Sequence, residues 1–197
     1  MTPAVVGLFH SCQNNSSNFV PEYFNKNQFT ILSQLMELIL PETEIPGAIN
    51  LKLPEFLDGY IYTIYSEESQ KKISKGLDSF IDVALFDSEK SKANKLTNED
   101  LDFQLAKYLK ADNDQKNSWR KQDSDYQKAL KNKSNSPKLP SEALAYDFAN
   151  QLRSLSITAF RTNEYIGEKV LAYAPIPGEQ RGCVDLMETT GGKIWSL

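Results

Sequence analysis

Histidine and cysteine are almost missing from this chain of 197 residues: His10 is the sole imidazole, and Cys12 and Cys183 are the two thiols. A zinc site needs about four nitrogen or sulfur ligands at workable spacing, and the sequence does not supply them. Cys-His and Ser-His-Asp catalysis meet the same obstacle, since the one imidazole sits beside the start of the chain. Neither GxGxxG nor CxxCH occurs, so there is no dinucleotide-binding fingerprint and no haem attachment site. No catalytic, cofactor-binding or metal-ligating residue is assigned on this basis, and no cofactor is expected in the chain itself. Carboxylates or a lysine remain available for chemistry, but nothing singles out a pair.

An excess of positive charge is also lacking. The 22 basic side chains face 26 acidic ones, a net charge of -4, so no global basic field draws in nucleic acid through counterion release. Long apolar runs are absent too: the longest, such as residues 35–41, fall far short of the ~20 that span a membrane. A chain that is soluble or only tethered is expected. Its length suits one domain with a substantial core.

What is present is helical periodicity. Phe29, Leu32, Leu35, Met36 and Ile39 recur on one face of a helix from Asn27 to Leu40, which Pro41 ends. The connector "PETEIPGAINLKLPEF" follows, and Pro54 suits the first turn of a second helix striped by Phe56, Leu57, Tyr60, Ile61 and Ile64. Ser66 is an N-cap candidate for a third helix that buries Ile73, Leu77, Phe80, Ile81 and Leu85. "TNED" at 97–100 resembles a capping box before Leu101, Leu105, Tyr108 and Leu109. Residues 110–138 differ, with eight Lys/Arg, four Asp and only Trp119, Tyr126 and Leu130 as large apolar groups. That composition reads as a solvated helix-and-loop insertion or a mobile linker, with a basic partner-binding arm as the sharper alternative. Ser141 is expected to cap a long helix to about Phe160, and a shorter helix runs from about Asn163 to Leu171. No segment alternates with period two over strand length. The fold class expected is all-α: an irregular helical bundle with long connectors and an extended Pro/Gly-rich C-terminal segment, in which Trp195 packs back on the core.

Residues 1–18 stand apart from the single helical domain expected over 19–197. An apolar run from Ala4 to Phe9, then Ser11 before Cys12, then an Asn/Ser stretch, has the form of the end of a bacterial lipoprotein signal. In that reading Cys12 is the lipidation site and the polar stretch a flexible tether. The other reading makes Cys12 an ordinary thiol, since the apolar run is short and no positive residue precedes it. The segment "YAPIPGEQRGCVDL" at 173–186 cannot continue a helix, because its prolines lack a donor and its glycines favour turns.

The C-terminal third, "TAFRTNEYIGEKVLAYAPIPGEQRGCVDL", resembles the small subunit of membrane-bound gluconate 2-dehydrogenase, the subunit 3 family. Phe160, Thr162, Asn163, Glu164, Gly167, Tyr173, Pro175, Ile176, Pro177, Gly178, Gly182, Cys183 and Leu186 fall on its aromatic-Thr/Ser, "DPIPG"-like and "GCVPL"-like pattern. Upstream, "ILPETEIPGA" and "LPEFLD" resemble the family's "IIP...TPGA...VPEFID", so that the likeness covers residues 29–58 and 158–195. Departures are Ala174 for an acidic residue, Asp185 for proline, and an incomplete twin-arginine leader. The resemblance implies a non-catalytic accessory subunit in the bacterial periplasm, associated with the membrane by a tether or through its complex. Its implied partners are a large FAD-dependent sugar or polyol dehydrogenase subunit, which it helps to export and assemble, and a cytochrome c subunit carrying haem c. FAD and haem c then belong to partners. A tethered helical lipoprotein that binds some other partner is the competing reading. A rigid loop loses little further entropy on docking, so Cys183, Arg181, Tyr173, Pro175 and Pro177 are the candidate interface. An unpaired thiol there invites an intersubunit disulfide; the alternative is that Cys183 is a small buried plug that locks the turn.

Overall fold

The computed structural model describes residues 19–132, 137–174, 178 and 183–196. Within them the chain is all-α. Helix α1 spans Lys26–Ile39, α2 Leu53–Ile64, α3 Glu67–Asp87, α4 Asn98–Leu109, α5 Asn113–Lys131, α6 Ser141–Arg161 and α7 Leu186–Thr190. A 3-10 turn at Ala93–Lys95 precedes α4, and a π-helical turn at Ile166–Val170 follows α6. The only strand-like pairing among the described residues is one isolated parallel bridge between Ala172 and Trp195.

Local chemistry sets the helix starts. The Asn25 side chain accepts from the Asn27 and Gln28 amides, and Gln28 reaches back to the Asn25 amide. The same reciprocal box joins Thr97 with Asp100 and Asp112 with Gln115. Ser66 accepts from the Ser69 amide at the start of α3. Each cap answers donors that the first helical turn leaves open. Ser141 does not cap α6. Pro140 holds that position, its carbonyl accepting from the Leu144 amide at 3.0 Å, and Ser141 is already inside the helix.

Helix α6 is the centre of the packing, touching α1 to α5 and meeting α3 most extensively. Close approach of that pair depends on Gly76, where a Cβ would lie 2.9 Å from Phe148 Cβ. Phe80, Phe148 and Tyr108 fill the space between α3, α4 and α6. The polar segment expected as a helix-and-loop insertion or linker folds as α5. It rests on buried Trp119, whose ring lies 5.3 Å from that of Tyr108 and 5.0 Å from that of Tyr146.

Two carboxylates order the chain on either side of α1. Glu37 accepts from the Ile49 amide at 2.8 Å and the Glu42 amide at 3.2 Å. Gly47 lies against this staple, and a Cβ there would come within 2.6 Å of the Glu42 nitrogen. Asp58, fully buried on α2, accepts from the amides of Glu22 at 2.6 Å, Phe24 at 2.9 Å and Tyr23 at 3.3 Å. Turning Asp58 inward fixes the rotation of α2. Leu57 and Ile61 are buried with it, whereas Phe56, Tyr60 and Ile64 are 52%, 38% and 61% exposed. The expected five-residue apolar stripe is therefore split between core and solvent. Leu85 on α3 is likewise only partly buried.

The short helix expected from about Asn163 to Leu171 is present over residues 164–170: the Asn163 side chain accepts from the Tyr165 and Ile166 amides, and the chain then widens into the π-helical turn. One further expectation changes. Trp195 does not pack back on the core: its segment is held through the backbone, and its side chain is 48% exposed.

Lys107 joins α3, α4 and α6. Its ammonium donates to Asp87 at 2.9 Å and to Glu142 at 2.8 Å, while Tyr108 donates to the other Glu142 oxygen at 2.9 Å. Burial acts against the charged form of Asp87, but the hydrogen bonds from Lys107 and Gln104 outweigh it and hold the carboxyl below its ordinary range. Burial also opposes the Lys107 charge, and Glu142 and Asp87 outweigh it and raise the ammonium pKa.

Two outcomes are expected from these contacts. Asp58→Ala leaves the amides of residues 22–24 without their buried acceptor, and chemical denaturation should show a loss of about 3 kcal/mol. A depressed Asp87 stabilises the fold above the usual carboxylate range and loses that contribution as pH falls through its folded value; a raised Lys107 does so below its unfolded value and loses it in strong alkali. Lys107→Met should therefore move the acid-unfolding midpoint, followed by circular dichroism, to higher pH.

Candidate partner interface

The end of the molecule beyond α6 is built on two buried residues. Ile166 is fully buried, and Gly167 sits beneath the returning C-terminal segment, where a Cβ would lie 3.3 Å from Ser196 Oγ. The Gly167 amide donates to the Asn163 carbonyl at 2.8 Å and the Leu171 amide to the Ile166 carbonyl at 2.9 Å. Ala172 then donates to the Ile194 carbonyl at 2.9 Å and accepts from the Ser196 amide at 2.8 Å. This short parallel pairing ties the chain on both sides of α7 to the core. Helix α7 is capped by Asp185, which accepts from the Glu188 amide at 2.9 Å, and stops at Gly191 in the left-handed region with φ 63°.

Large apolar side chains stand open at this end among exposed charges such as Glu164, Glu168, Lys169, Glu188 and Lys193. Tyr165, Tyr173, Leu186, Met187, Ile194 and Trp195 are all exposed. Tyr173, a candidate contact residue, is half exposed directly after the bridge. Cys183 is an exposed free thiol shortly before α7, so it is not the buried plug that the alternative reading required. Arg181, Pro175, Pro177 and the lipidation candidate Cys12 lie outside the described residues, as do His10 and most of the Pro/Gly-rich segment. Tyr173 and Cys183 are both open to solvent.

The Lys107 cluster has recognisable structural work. Two carboxylates hold Lys107 protonated, which removes it as a nucleophile, and burial followed by the Glu142 charge pushes the Tyr108 phenol far up. Asp147 lines a cleft of about 500 Å³ with Tyr65, Ser69, Lys72 and Gln151. Burial raises its pKa; Lys72 and Arg120 pull the other way, and Asp123 adds to the rise. Among the described residues no group of three or more His, Cys, Asp or Glu side chains is placed to hold a metal ion, and no helix is long and apolar enough to cross a membrane.

Sequence reasoning missed the exposed face of α2. The signal was there in "FLDGYIYTI", where apolar residues surround the helix instead of forming one stripe. Phe56 and Tyr60 stack with ring centres 5.9 Å apart, and Tyr60 meets Tyr65 edge-on at 5.8 Å.

Fold and surface together define a small helical domain with an open apolar end, a feature that marks protein contacts. The family model described as gluconate 2-dehydrogenase subunit 3 matches residues 26–178, and the chain belongs to that family. The match takes in α1 to α6 and the π-helical turn and stops short of Cys183. Neither a curated protein nor a solved structure matches the chain.

An open thiol makes a direct outcome testable. Cys183→Ser should change stability by less than about 0.5 kcal/mol, and the native free chain should react with a maleimide at position 183 as fast as the denatured chain does. Slow labelling of the native chain, reversed by denaturant, would contradict the exposed placement.

Proposed function

We propose that the protein is a non-catalytic accessory subunit of a membrane-associated, periplasmic flavin-dependent sugar or polyol dehydrogenase. The observation that carries this reading is the family match over residues 26–178. It fits a chain whose Lys107 cluster holds three helices together and whose C-terminal end presents tyrosines, Met187, Ile194 and Trp195 to solvent. In this reading FAD sits in the large subunit, haem c in a cytochrome subunit, and the small subunit accompanies the folded flavoprotein through twin-arginine export and stays bound. Tyr173, Pro175, Pro177, Arg181 and Cys183 form the contact, with Cys183 positioned for an intersubunit disulfide. Lipidation of Cys12 supplies a tether to the membrane.

Purification of the full-length tagged chain from native membranes, followed by gels with and without reductant, tests the reading. A flavin-containing large subunit should co-purify in a fixed ratio and separate only after reduction. Co-purification that ignores reductant and survives Cys183→Ser removes the disulfide and keeps the subunit role. A chain that emerges alone from gently solubilised membranes overturns the subunit role.

A further inference from the structure

Helix α2 has its polarity reversed relative to an ordinary surface helix. Its mid-helix carboxylate, Asp58, is wholly buried, while Phe56, Tyr60, Tyr62 and Ile64 are 52%, 38%, 55% and 61% exposed. Phe56, Tyr60 and Ile64 recur every four residues along one side of the helix, as one ridge. Over the helix the sole other charge is Glu55, in a chain of which 24% is charged. Charge depletion with aromatic enrichment characterises the centre of a protein interface.

The ridge is also held ready. Phe56 stacks on Tyr60, and Tyr60 packs edge-on to Tyr65. Asp58 locks the helix rotation through the amides of residues 22–24, so the aromatic side cannot turn inward without stranding a buried carboxylate. Side chains already ordered lose less entropy on docking.

Size and position point to the occupant. At ~200 Å² for a large side chain, the exposed fractions of Phe56, Tyr60 and Ile64 leave on the order of 300 Å² of the ridge open, over a third of the ~800 Å² that each partner gives a standard interface; Tyr62 lies on the other flank of the helix and adds nothing to it. The surface does not end at α2. Asn50, Leu51 and Lys52, just before the helix, face Tyr165 and the charged Glu164, Glu168 and Lys169 across an open cleft of about 380 Å³, so the junction between the two apolar regions is polar. Tyr165 opens the apolar C-terminal end that carries Tyr173 and Cys183.

We infer that the α2 ridge of Phe56, Tyr60 and Ile64 is a second contact with the same large flavoprotein subunit, continuous across this cleft with the C-terminal contact and received by an apolar, charge-poor surface of that partner. This rests on the subunit reading above. It divides the labour between the two halves of the surface: the ridge contributes apolar burial, and the C-terminal segment contributes Cys183 and local specificity.

The test uses the full-length tagged chain expressed in its native host, with flavin absorbance recovered per mole of chain as the readout. Phe56→Glu/Tyr60→Glu should keep the wild-type circular dichroism and melting temperature, since both side chains are more than one-third exposed, and should recover at least ten-fold less flavoprotein. Ile64→Glu, at the last position of α2, keeps the test open should the double variant melt early; it should lower recovery at least three-fold. Phe86→Glu, at an 83% exposed side chain on α3, should leave recovery unchanged. Equal recovery by wild type and both α2 variants overturns the inference and leaves the subunit role standing. No flavoprotein with the wild type removes the subunit role, and this contact falls with it. Self-association of the chain in sedimentation, or binding to anionic lipid vesicles, that the α2 variants abolish while flavoprotein recovery stays intact would assign the ridge to a second copy or to a membrane and overturn the inference.

Discussion

One buried carboxylate sets the geometry from which the rest of the surface follows. Asp58 lies wholly out of water, a position that an anion holds only with donors around it. The amides of Glu22, Tyr23 and Phe24 are those donors. They draw the segment before α1 against α2, so α1 begins at its Asn25 cap already seated on its neighbour. The same bond fixes the rotation of α2, and its consequence is visible on both sides: Leu57 and Ile61 enter the core, and Phe56, Tyr60 and Ile64 are left outside. A helix of this composition would otherwise be free to bury its aromatics.

Around that fixed edge, α6 organises the core. Gly76 lets α3 approach it, and the ladder of Phe80, Tyr108, Trp119 and Tyr146 carries packing outward to α5. Lys107, held between Asp87 and Glu142, binds α3, α4 and α6 together on the polar side. With Lys107, Asp87 and Glu142 committed to joining helices in this way, the apolar surfaces stand out among the features not absorbed by the fold. Two of them, on α2 and at the C-terminal end, lie on either side of one cleft.

The helices were legible because their signals are local. Ser66 and Thr97 each cap the helix that follows, and the periodicity of Ile73, Leu77, Phe80 and Ile81 marks the buried face of α3. Family membership was legible in "ILPETEIPGA" and in the segment after α6. Two elements of that pattern now have physical reasons: Gly47 lies against the Glu37 staple, and the aspartate of "LPEFLD" is the buried acceptor. What stayed hidden depends on tertiary placement. No period in the sequence shows that Asp58 points inward, so the stripe on α2 read as core throughout. Trp119 read as one apolar group in a polar stretch, and its two aromatic partners lie on other helices. Trp195 read as core because large aromatics usually are, whereas a backbone bridge suffices to hold its segment.

The account rests on a subunit that meets its flavoprotein with a surface running from α2 to the C-terminal end. Amide hydrogen exchange, compared between the free chain and the complex isolated from native membranes, reads that surface most directly. The account predicts slowed exchange over residues 53–64 and 165–174 on complex formation, with α5 unchanged. Slowing confined to α5 and the 137–142 connector, with α2 as in the free chain, would contradict it.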